Sequence, residues 1–421
     1  MSTKNKAHNP QHRLTAVDLF SGAGGISIGL GDAGYDVLLA NDLNSASAKT
    51  YRRNFPSHEF IEGDIRNVSG REIIRKTGLI KGELDLLIGG PPCQGFSIIG
   101  SRTELDPRND LFMEFLRIGG ELRPRAMVME NVPGMATLGG GAILRNVIDG
   151  FKTSGYRVSF AELLAAQYGA PQMRWRMVFV AFREDLDIPK NMGFPKPTHG
   201  RRGIGELVPN CTISATDSEG FVTTREAIGD LPPIEAGQLE NHYLGNPTGL
   251  YQRRMRQGAG QELHNHYAPK LSKQNLERLA VLSAGQDWRD LPRELLTEGM
   301  KLAKRKDHTR RYSRMTWDGI PRSIITRFRD PKSGEYTHPE QHRTISIREA
   351  ARIQSFPDRF VFDGSYSEQY DQVGNAVPAI LAEAIGREVR ACLSGQATHE
   401  LSNPFSRRKS LAQTCLPLHT I

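Results

Sequence analysis

Short apolar runs alternate with amphipathic stretches through about residue 180 of the chain. The first run, Leu14 to Phe20 (LTAVDLF), is typical of a buried parallel strand. A glycine-rich turn and a helical stretch that ends at Gly34 separate it from a second apolar run, Val37 to Ala40. A strand, a helix and a strand in this order predict a βαβ unit.

The same alternation continues beyond that unit. Further strands are predicted at Leu84 to Ile88, Ala126 to Met129 and Met177 to Ala181, and helices at amphipathic segments such as Ser69 to Lys76 and Asp110 to Glu121. Alternating strands and helices predict an α/β fold with a doubly wound, mostly parallel, Rossmann-like sheet.

A change in amino-acid composition predicts a second, smaller domain. Between residues 186 and 343 the chain is rich in Pro, Gly, His and basic side chains and has few long apolar runs. We therefore predict a domain at 186–343 inserted into a larger one formed by 1–185 and 344–395, whose last helix opens at Pro378. The polar residues 396–421 are expected to form a flexible tail.

Composition narrows the class of protein. The 421 residues are 38% hydrophobic and 24% charged, with a mean hydropathy of -0.46, which supports a globular core and excludes a disulfide-stapled miniprotein. The formal net charge of +8 suits a polyanionic partner such as nucleic acid. The sequence has neither a signal-peptide pattern nor a membrane-length apolar run, so a cytoplasmic location is expected, with no membrane partner.

The cysteines point to one reactive thiol. No CxxC pair or Cys/His spacing is present, so neither a zinc site nor a disulfide framework is expected, and we predict no metal. Cys93 stands in GGPPCQGFS, directly after the predicted strand Leu84 to Ile88. Ligand sites lie beyond the carboxyl ends of such strands, whereas a structural cysteine sits inside an apolar run, so Cys93 is the candidate nucleophile.

A cofactor site is predicted at the turn 21–25 (SGAGG). Its glycines let a ligand approach the backbone, and Asp42, about 20 residues after Gly22, is placed for two ribose hydroxyls. A tight turn without a ligand is the alternative. The spacing is shorter than GxGxxG, which favours a nucleoside cofactor without phosphates. Asp64 could accept a hydrogen bond from adenine or cap a helix toward Val68.

Several motifs in a fixed order resemble those of the DNA (cytosine-5) methyltransferases of the bacterial restriction-modification type. The resemblance runs from about Leu14 to Cys392 and leaves the tails and much of 186–310 unmatched. DLFSGAGG resembles the first motif and GGPPCQGFS the catalytic loop. The other matching segments are DPRNDLF (Asp106 to Phe112), Glu130-Asn131-Val132, QYGAPQMRWR (Gln167 to Arg176), REAARIQSFPD (Arg348 to Asp358) and QVGNAVP (Gln372 to Pro378).

This resemblance implies an S-adenosylmethionine-dependent methyltransferase sheet with a target-recognition domain inserted before the C-terminal return. Asp42 stands where the family more often has Glu, so a shorter side chain would have to reach the ribose. The residues implied to bind the cofactor are Phe20, Gly22, Gly24, Asp42, Asp64, Ile65, Pro91 and Asn375.

The implied reaction methylates C5 of a cytosine flipped out of duplex DNA, giving 5-methylcytosine. Because C5 is a weak nucleophile, the Cys93 thiolate first adds to C6 and makes the ring an enamine. Glu130 would protonate N3 and Arg176 would hold O2. Arg174 would favour the thiolate or contact the pocket or a phosphate, and it shares one strand face with Gln172 and Arg176 at period two.

Double-stranded DNA is therefore the expected partner, with a cognate restriction endonuclease acting on the same site, and a monomer suffices. Phosphate contacts are expected at Arg253, Arg254, Arg256 and the run Lys301 to Arg314, which holds seven Lys or Arg against one Asp. A solvated surface is the alternative for such a run.

Two other functions stay open at this point. A transfer RNA cytosine methyltransferase shares the scaffold, but the Cys-Phe-Thr signature of that subgroup is absent from the sequence. A catalytically silent DNA-binding regulator is the other candidate.

Overall fold

The fold was analysed in a computed structural model, which describes residues 13–92, 111–188, 193–200, 219–303 and 310–396. The strands are β1 (Leu14–Leu19), β2 (Tyr35–Asp42), β3 (Glu59–Glu62), β4 (Leu86–Gly89), β5 (Ala126–Asn131), β6 (Tyr156–Leu164) and β7 (Trp175–Arg183). They form one seven-stranded sheet in the order β3-β2-β1-β4-β5-β7-β6. The predicted α/β sheet is confirmed.

Strand direction divides the sheet into two parts. The five strands from β3 to β5 pair in parallel, whereas β7 pairs antiparallel with both β5 and β6. The start of β7 therefore lies beside the carboxyl end of β5: Glu130 pairs with Val178 and Asn131 with Met177. This arrangement brings two distant segments of sequence to the ligand-binding edge of the sheet.

Helices cover both faces of the sheet. The helices are α1 (Gly25–Asp32), α2 (Ser45–Asn54), α3 (Gly70–Thr77), α4 (Leu111–Leu122), α5 (Ala142–Thr153), α6 (Thr224–Ile228), α7 (Leu250–Arg256), α8 (Lys273–Ala280), α9 (Glu298–Leu302), α10 (Ile347–Ile353), α11 (Tyr366–Asn375) and α12 (Ala379–Leu393). Pro378 directly precedes α12, as expected. Within the described part of the chain, no helix is both long and apolar enough to cross a membrane.

Three apolar clusters form the interior. One packs α1, α10 and α12 on one face of the sheet, and a second packs α3, α4 and α5 on the other. Residues of the segment 186–343, such as Ile228 and Ile324, belong to the first cluster. A third, small cluster contains Leu279, Trp288 and Tyr312 and lies entirely within that segment. The domain boundaries stay a prediction.

Candidate active site

The carboxyl end of β5 carries an acid-base pair. Arg176 Nε lies 2.5 Å from Glu130 Oε1, and the side chains are only 12% and 11% exposed. Burial lowers the pKa of Arg176, while the neighbouring Glu130 carboxylate opposes that change. Two residues predicted to act on one substrate ring are thus in direct contact across the β5 and β7 pairing.

The loop after β4 runs next to this pair. A Cβ built on Gly90 would lie 3.2 Å from Glu130 Oε2, and Asn131 Nδ2 donates a 3.0 Å hydrogen bond to the Pro91 carbonyl. The catalytic cysteine predicted from the sequence, Cys93, lies outside the described residues, as does most of the segment Asp106 to Phe112. The chain nevertheless approaches position 93 from beside Glu130.

The glycine turn leaves space at the end of β1. Gly22 adopts φ 54°, and a Cβ built there would meet no atom within 4 Å, whereas at Gly24 (φ 109°) it would lie 2.5 Å from the Phe55 ring. Phe20 also has a positive φ of 56°, an uncommon conformation for a residue other than glycine. Gly22 therefore borders open space, while Gly24 is needed for packing.

Asp42, at the end of β2, is tied to this turn. Its Oδ2 accepts a 2.8 Å hydrogen bond from the Gly22 N–H, and its Oδ1 accepts one of 2.8 Å from Asn44 N–H. Burial raises the pKa of Asp42, and these backbone donors oppose that shift. The next residue, Leu43, exposes 68% of its surface, so an apolar side chain stands free beside the carboxylate.

Asp64 caps a turn, which was one of its two predicted roles. Its Oδ1 accepts a 3.0 Å hydrogen bond from Arg66 N–H and so begins the 3-10 turn Ile65–Asn67, which ends at Val68. The Arg66 guanidinium also pairs with Asp64 at 2.7 Å, and these bonds lower the pKa of Asp64. Ile65 is 3% exposed and packs in the second cluster.

Arg174 lies near the Glu130–Arg176 pair but donates its hydrogen bonds to other groups. Its Nη1 donates to the Ile324 carbonyl at 2.5 Å and its Nη2 to the Ala376 carbonyl at 3.0 Å, and the residue is only 3% exposed. Burial lowers the pKa of Arg174 well below its ordinary value. Arg174 thus joins β7 to the end of α11, where the exposed Asn375 lies.

Gln172 also joins the segment before β7 to distant parts of the chain through hydrogen bonds. Its Nε2 donates to the Ile353 carbonyl at 2.8 Å, and its Oε1 accepts from Ile324 N–H at 3.3 Å. Both Gln172 and Arg174 precede β7 instead of lying within it.

Part of the basic run does not have the role expected from its charge. Arg314 is 2% exposed and donates to the carbonyls of Leu279, Leu282, His338 and Gln341. Burial lowers its pKa to about 10. The expectation of a phosphate contact at Arg314 is wrong, because its guanidinium is buried and donates hydrogen bonds to backbone carbonyls of the protein. Lys301 pairs with Glu298 at 2.7 Å, and residues 304–309 lie outside the described residues.

The arginines of α7 lie at the other edge of the sheet. Arg254 pairs with Glu383 of α12 and lies 3.7 Å from Asp32, the last residue of α1. Because α1 runs back from the carboxyl end of β1, its own end lies near the amino ends of the strands. Arg256 pairs with Asp230 at 2.7 Å. The phosphate contacts expected at Arg253, Arg254 and Arg256 stay a prediction, and these ion pairs place Arg254 away from the Glu130–Arg176 pair.

Sequence reasoning missed a buried acid below the glycine turn. Asp18 is 0% exposed, and its Oδ2 accepts a 2.6 Å hydrogen bond from the Ser27 hydroxyl. Burial raises its pKa to about 7. The available signal was a charged residue inside the apolar run LTAVDLF, since an acid in a buried strand requires a reason.

The structure thus defines an α/β enzyme with a glycine turn, a strand-end carboxylate and a buried Glu-Arg pair along one edge. The family model described as "C-5 cytosine-specific DNA methylase" matches residues 14–391, and the chain belongs to that family. Enzymes of this family use S-adenosylmethionine as methyl donor. Across the described ranges, no group of three or more His, Cys, Asp or Glu could hold a metal ion.

Curated relatives match along nearly the whole chain. The type II methyltransferase M1.HphI of Haemophilus parahaemolyticus is 35% identical over 89% of this chain and 86% of its own. The type II methyltransferase M.AgeI of Thalassovita gelatinovora is 31% identical over 90% of this chain and 100% of its own. A solved putative DNA modification methyltransferase encoded within an E. coli prophage superposes with a TM-score of 0.70 at 25% identity, covering 90% of this chain and 99% of that one.

Proposed function

We propose that this protein transfers a methyl group from S-adenosylmethionine to C5 of a cytosine flipped out of duplex DNA at a specific sequence. The observation that carries the proposal is the Glu130–Arg176 pair beside the loop that leads to Cys93. A base inside a duplex cannot reach this enclosed pair, so the target must leave the stack.

Three side chains act on different atoms of the cytosine ring. The Cys93 thiolate forms a bond to C6, and the electrons of the C5–C6 double bond move onto C5 and toward N3. Glu130 passes a proton to N3 as the thiolate adds, and Arg176 binds O2. After C5 is methylated, a base such as water takes the C5 proton, and the electrons of that bond restore the C5–C6 double bond as the Sγ–C6 bond breaks. Cys93 leaves as a thiolate, and the N3 proton returns to Glu130.

The residues at the glycine turn fit the cofactor. S-adenosylmethionine, when bound, supplies the methyl group from its sulfonium. Gly22 borders open space, the Asp42 carboxylate retains lone pairs for the ribose, and Leu43 offers an apolar surface to the nucleoside. Phe20, Gly24, Asp64, Ile65, Pro91 and Asn375 complete the proposed set.

The relatives named type II methyltransferases support a place in a restriction-modification system. In such a system methylation protects host DNA from an endonuclease that cuts the same sequence. We expect the protein to act as a monomer in the bacterial cytoplasm, where that DNA lies.

The experiment incubates the protein with tritiated S-adenosylmethionine and either duplex DNA or transfer RNA. We expect label in DNA, and label in RNA alone would identify a transfer RNA methyltransferase instead. Duplexes that carry 5-fluorocytosine should trap a covalent adduct, because the fluorine cannot leave as a proton does.

Two cysteine variants complete this test. Cys93→Ala should bind DNA without forming the adduct, while Cys392→Ala, which changes a buried cysteine of α12, should still form it. An adduct with Cys93→Ala would remove Cys93 as nucleophile. No adduct with the wild-type protein would favour a silent DNA-binding regulator.

A further inference from the structure

Arg322 lies at the same edge of the sheet as the Glu130–Arg176 pair. Residue 322 forms a parallel bridge with Met173, and Met173 N–H donates a 2.8 Å hydrogen bond to the Pro321 carbonyl. Met173 shortly precedes β7, whose start lies beside the end of β5. The segment 186–343 therefore contributes a basic residue at the mouth of the site.

The guanidinium of Arg322 faces outward. Its side chain is 62% exposed, and its ion pair joins Nε to Glu335 Oε2 at 3.4 Å. Among the described residues, Glu335 is the ion-pair partner of Arg322. The Nε side of the guanidinium thus faces the Glu335 carboxylate, while most of the side chain is open to a ligand.

The Glu335 carboxylate that pairs with Arg322 is largely buried and also contacts a second arginine. Its side chain is only 13% exposed, and the same Oε2 lies 2.9 Å from Arg310 Nη1. Burial raises the pKa of Glu335, and the two guanidinium groups oppose that rise. A largely buried carboxylate between two arginines holds its position better than one on an open surface.

The charged groups continue into the third apolar cluster. Arg310 Nε lies 3.8 Å from Asp287 Oδ2, and Asp287 also pairs with Arg289. Trp288 of the third cluster follows Asp287 directly. A chain of alternating charges therefore connects the small cluster of the segment 186–343 to Arg322 at the site.

We propose that Arg322 binds a backbone phosphate of the DNA strand that carries the target cytosine and is oriented for it by Glu335. A planar guanidinium fork matches phosphate oxygens in a bidentate way, and a pre-oriented fork loses less entropy on binding. Arg322 is then a positioning residue, which holds the flipped nucleotide over Glu130 and Arg176. The inference rests on the proposed function.

The fold supplies a matched control in Arg387. Its side chain is 65% exposed, and it pairs at 2.7 Å with Glu383, a carboxylate shared with a second arginine just as Glu335 is. Arg387 Nη2 lies 3.4 Å from the Asp32 carbonyl, at the edge of the sheet opposite to Arg322. The two alanine variants therefore each remove one exposed arginine charge that is paired with a carboxylate, at opposite edges of the sheet.

The first test measures the affinity of Arg322→Ala and Arg387→Ala for duplex DNA at several salt concentrations. Arg322→Ala should bind about tenfold more weakly and show a salt slope smaller by about one, because it loses one phosphate contact. Arg387→Ala should behave like the wild type. Equal behaviour of the two variants would overturn the proposal.

A second measurement distinguishes the positioning of the flipped base from the simple loss of a positive charge. The fluorescence of 2-aminopurine at the target position rises when that base leaves the stack, and Arg322→Ala should reduce this rise at saturating DNA. Arg322→Lys should restore the salt slope but not the fluorescence, since an ammonium lacks the fork. Glu335→Gln should keep the slope and lower kcat. A lysine variant that restores both would refute the bidentate geometry.

The wild-type protein distinguishes this inference from the function on which it rests. If wild-type protein labels no DNA, the proposed function fails. If it labels DNA and Arg322→Ala matches Arg387→Ala in both readouts, the role of Arg322 alone is refuted.

Discussion

Glu130 and Arg176 meet across a pair of antiparallel strands, with 2.5 Å between Oε1 and Nε. Glu130 belongs to the last of the parallel strands, and Arg176 to the strand that reverses direction beside it. Two charges that are this enclosed are stable only together, because either one alone would be buried without a partner. The pair is therefore preorganised before a substrate arrives.

Removal of Arg176 should harm both folding and activity. Arg176→Ala leaves the Glu130 carboxylate buried and unpaired, so we expect the free energy of unfolding to fall by about 3–5 kcal/mol. Arg176→Lys keeps the charge but loses the fork, and should retain more stability than activity. Urea unfolding and methyl-transfer kinetics measure the two effects. An alanine variant as stable as the wild type would contradict the pairing.

Arg174 should matter for stability through the carbonyls it holds. Arg174→Ala leaves the buried Ile324 carbonyl without its donor and removes one of the two donors of the Ala376 carbonyl, the other being Gln354, so we expect a loss of about 2–4 kcal/mol in urea unfolding. Arg253→Ala is the control, since that exposed arginine bonds one carbonyl, of Thr248 at 3.1 Å. Its loss should stay below about 0.5 kcal/mol. Equal losses for the two variants would exclude the structural role of Arg174.

Local pattern was sufficient for five of the seven strands of the described sheet. The apolar run at β1 and the glycines after it mark the two ends of the strand closely. The helix α3 begins after Ser69, whose hydroxyl accepts a hydrogen bond from Glu72 N–H. The strands β3 and β6 were missed. β3 has four residues, and most residues of β6 are only partly buried, so neither shows a clear apolar run.

Long-range contacts explain the other failure. Arg314 looks like a DNA-binding residue in the sequence, yet it is enclosed by backbone carbonyls. The carbonyls that accept hydrogen bonds from a buried guanidinium are distant in sequence, so no local pattern predicts them. Glu130 and Arg176 were predicted because a family resemblance, rather than periodicity, marks them.

Asp42 should control the affinity for the cofactor. Asp42→Ala removes the carboxylate proposed for the ribose and the acceptor of Gly22 N–H, so we expect the dissociation constant for S-adenosylmethionine to rise at least about tenfold in calorimetry. Asp36→Ala, at an exposed position of the same strand, should leave it unchanged. An unchanged constant for Asp42→Ala would place the nucleoside elsewhere.

The buried acid Asp18 should make stability depend on pH. Its pKa is about 7 in the folded protein, against an ordinary value of 3.8. Between these values the folded state keeps a proton that the unfolded chain releases. The stabilisation from this proton is therefore complete below about pH 4, declines as the pH rises toward 7, and is lost above it.

Asp18→Asn removes this titration and keeps an oxygen acceptor for the Ser27 hydroxyl. We expect the free energy of unfolding of the variant, minus that of the wild type, to increase between pH 5 and pH 7 by up to about 1.4 kcal/mol per pH unit. Because other titrating groups act on both proteins, the difference isolates Asp18. Urea unfolding at several pH values measures it, and a difference that stays constant would mean that Asp18 is ionised throughout this range.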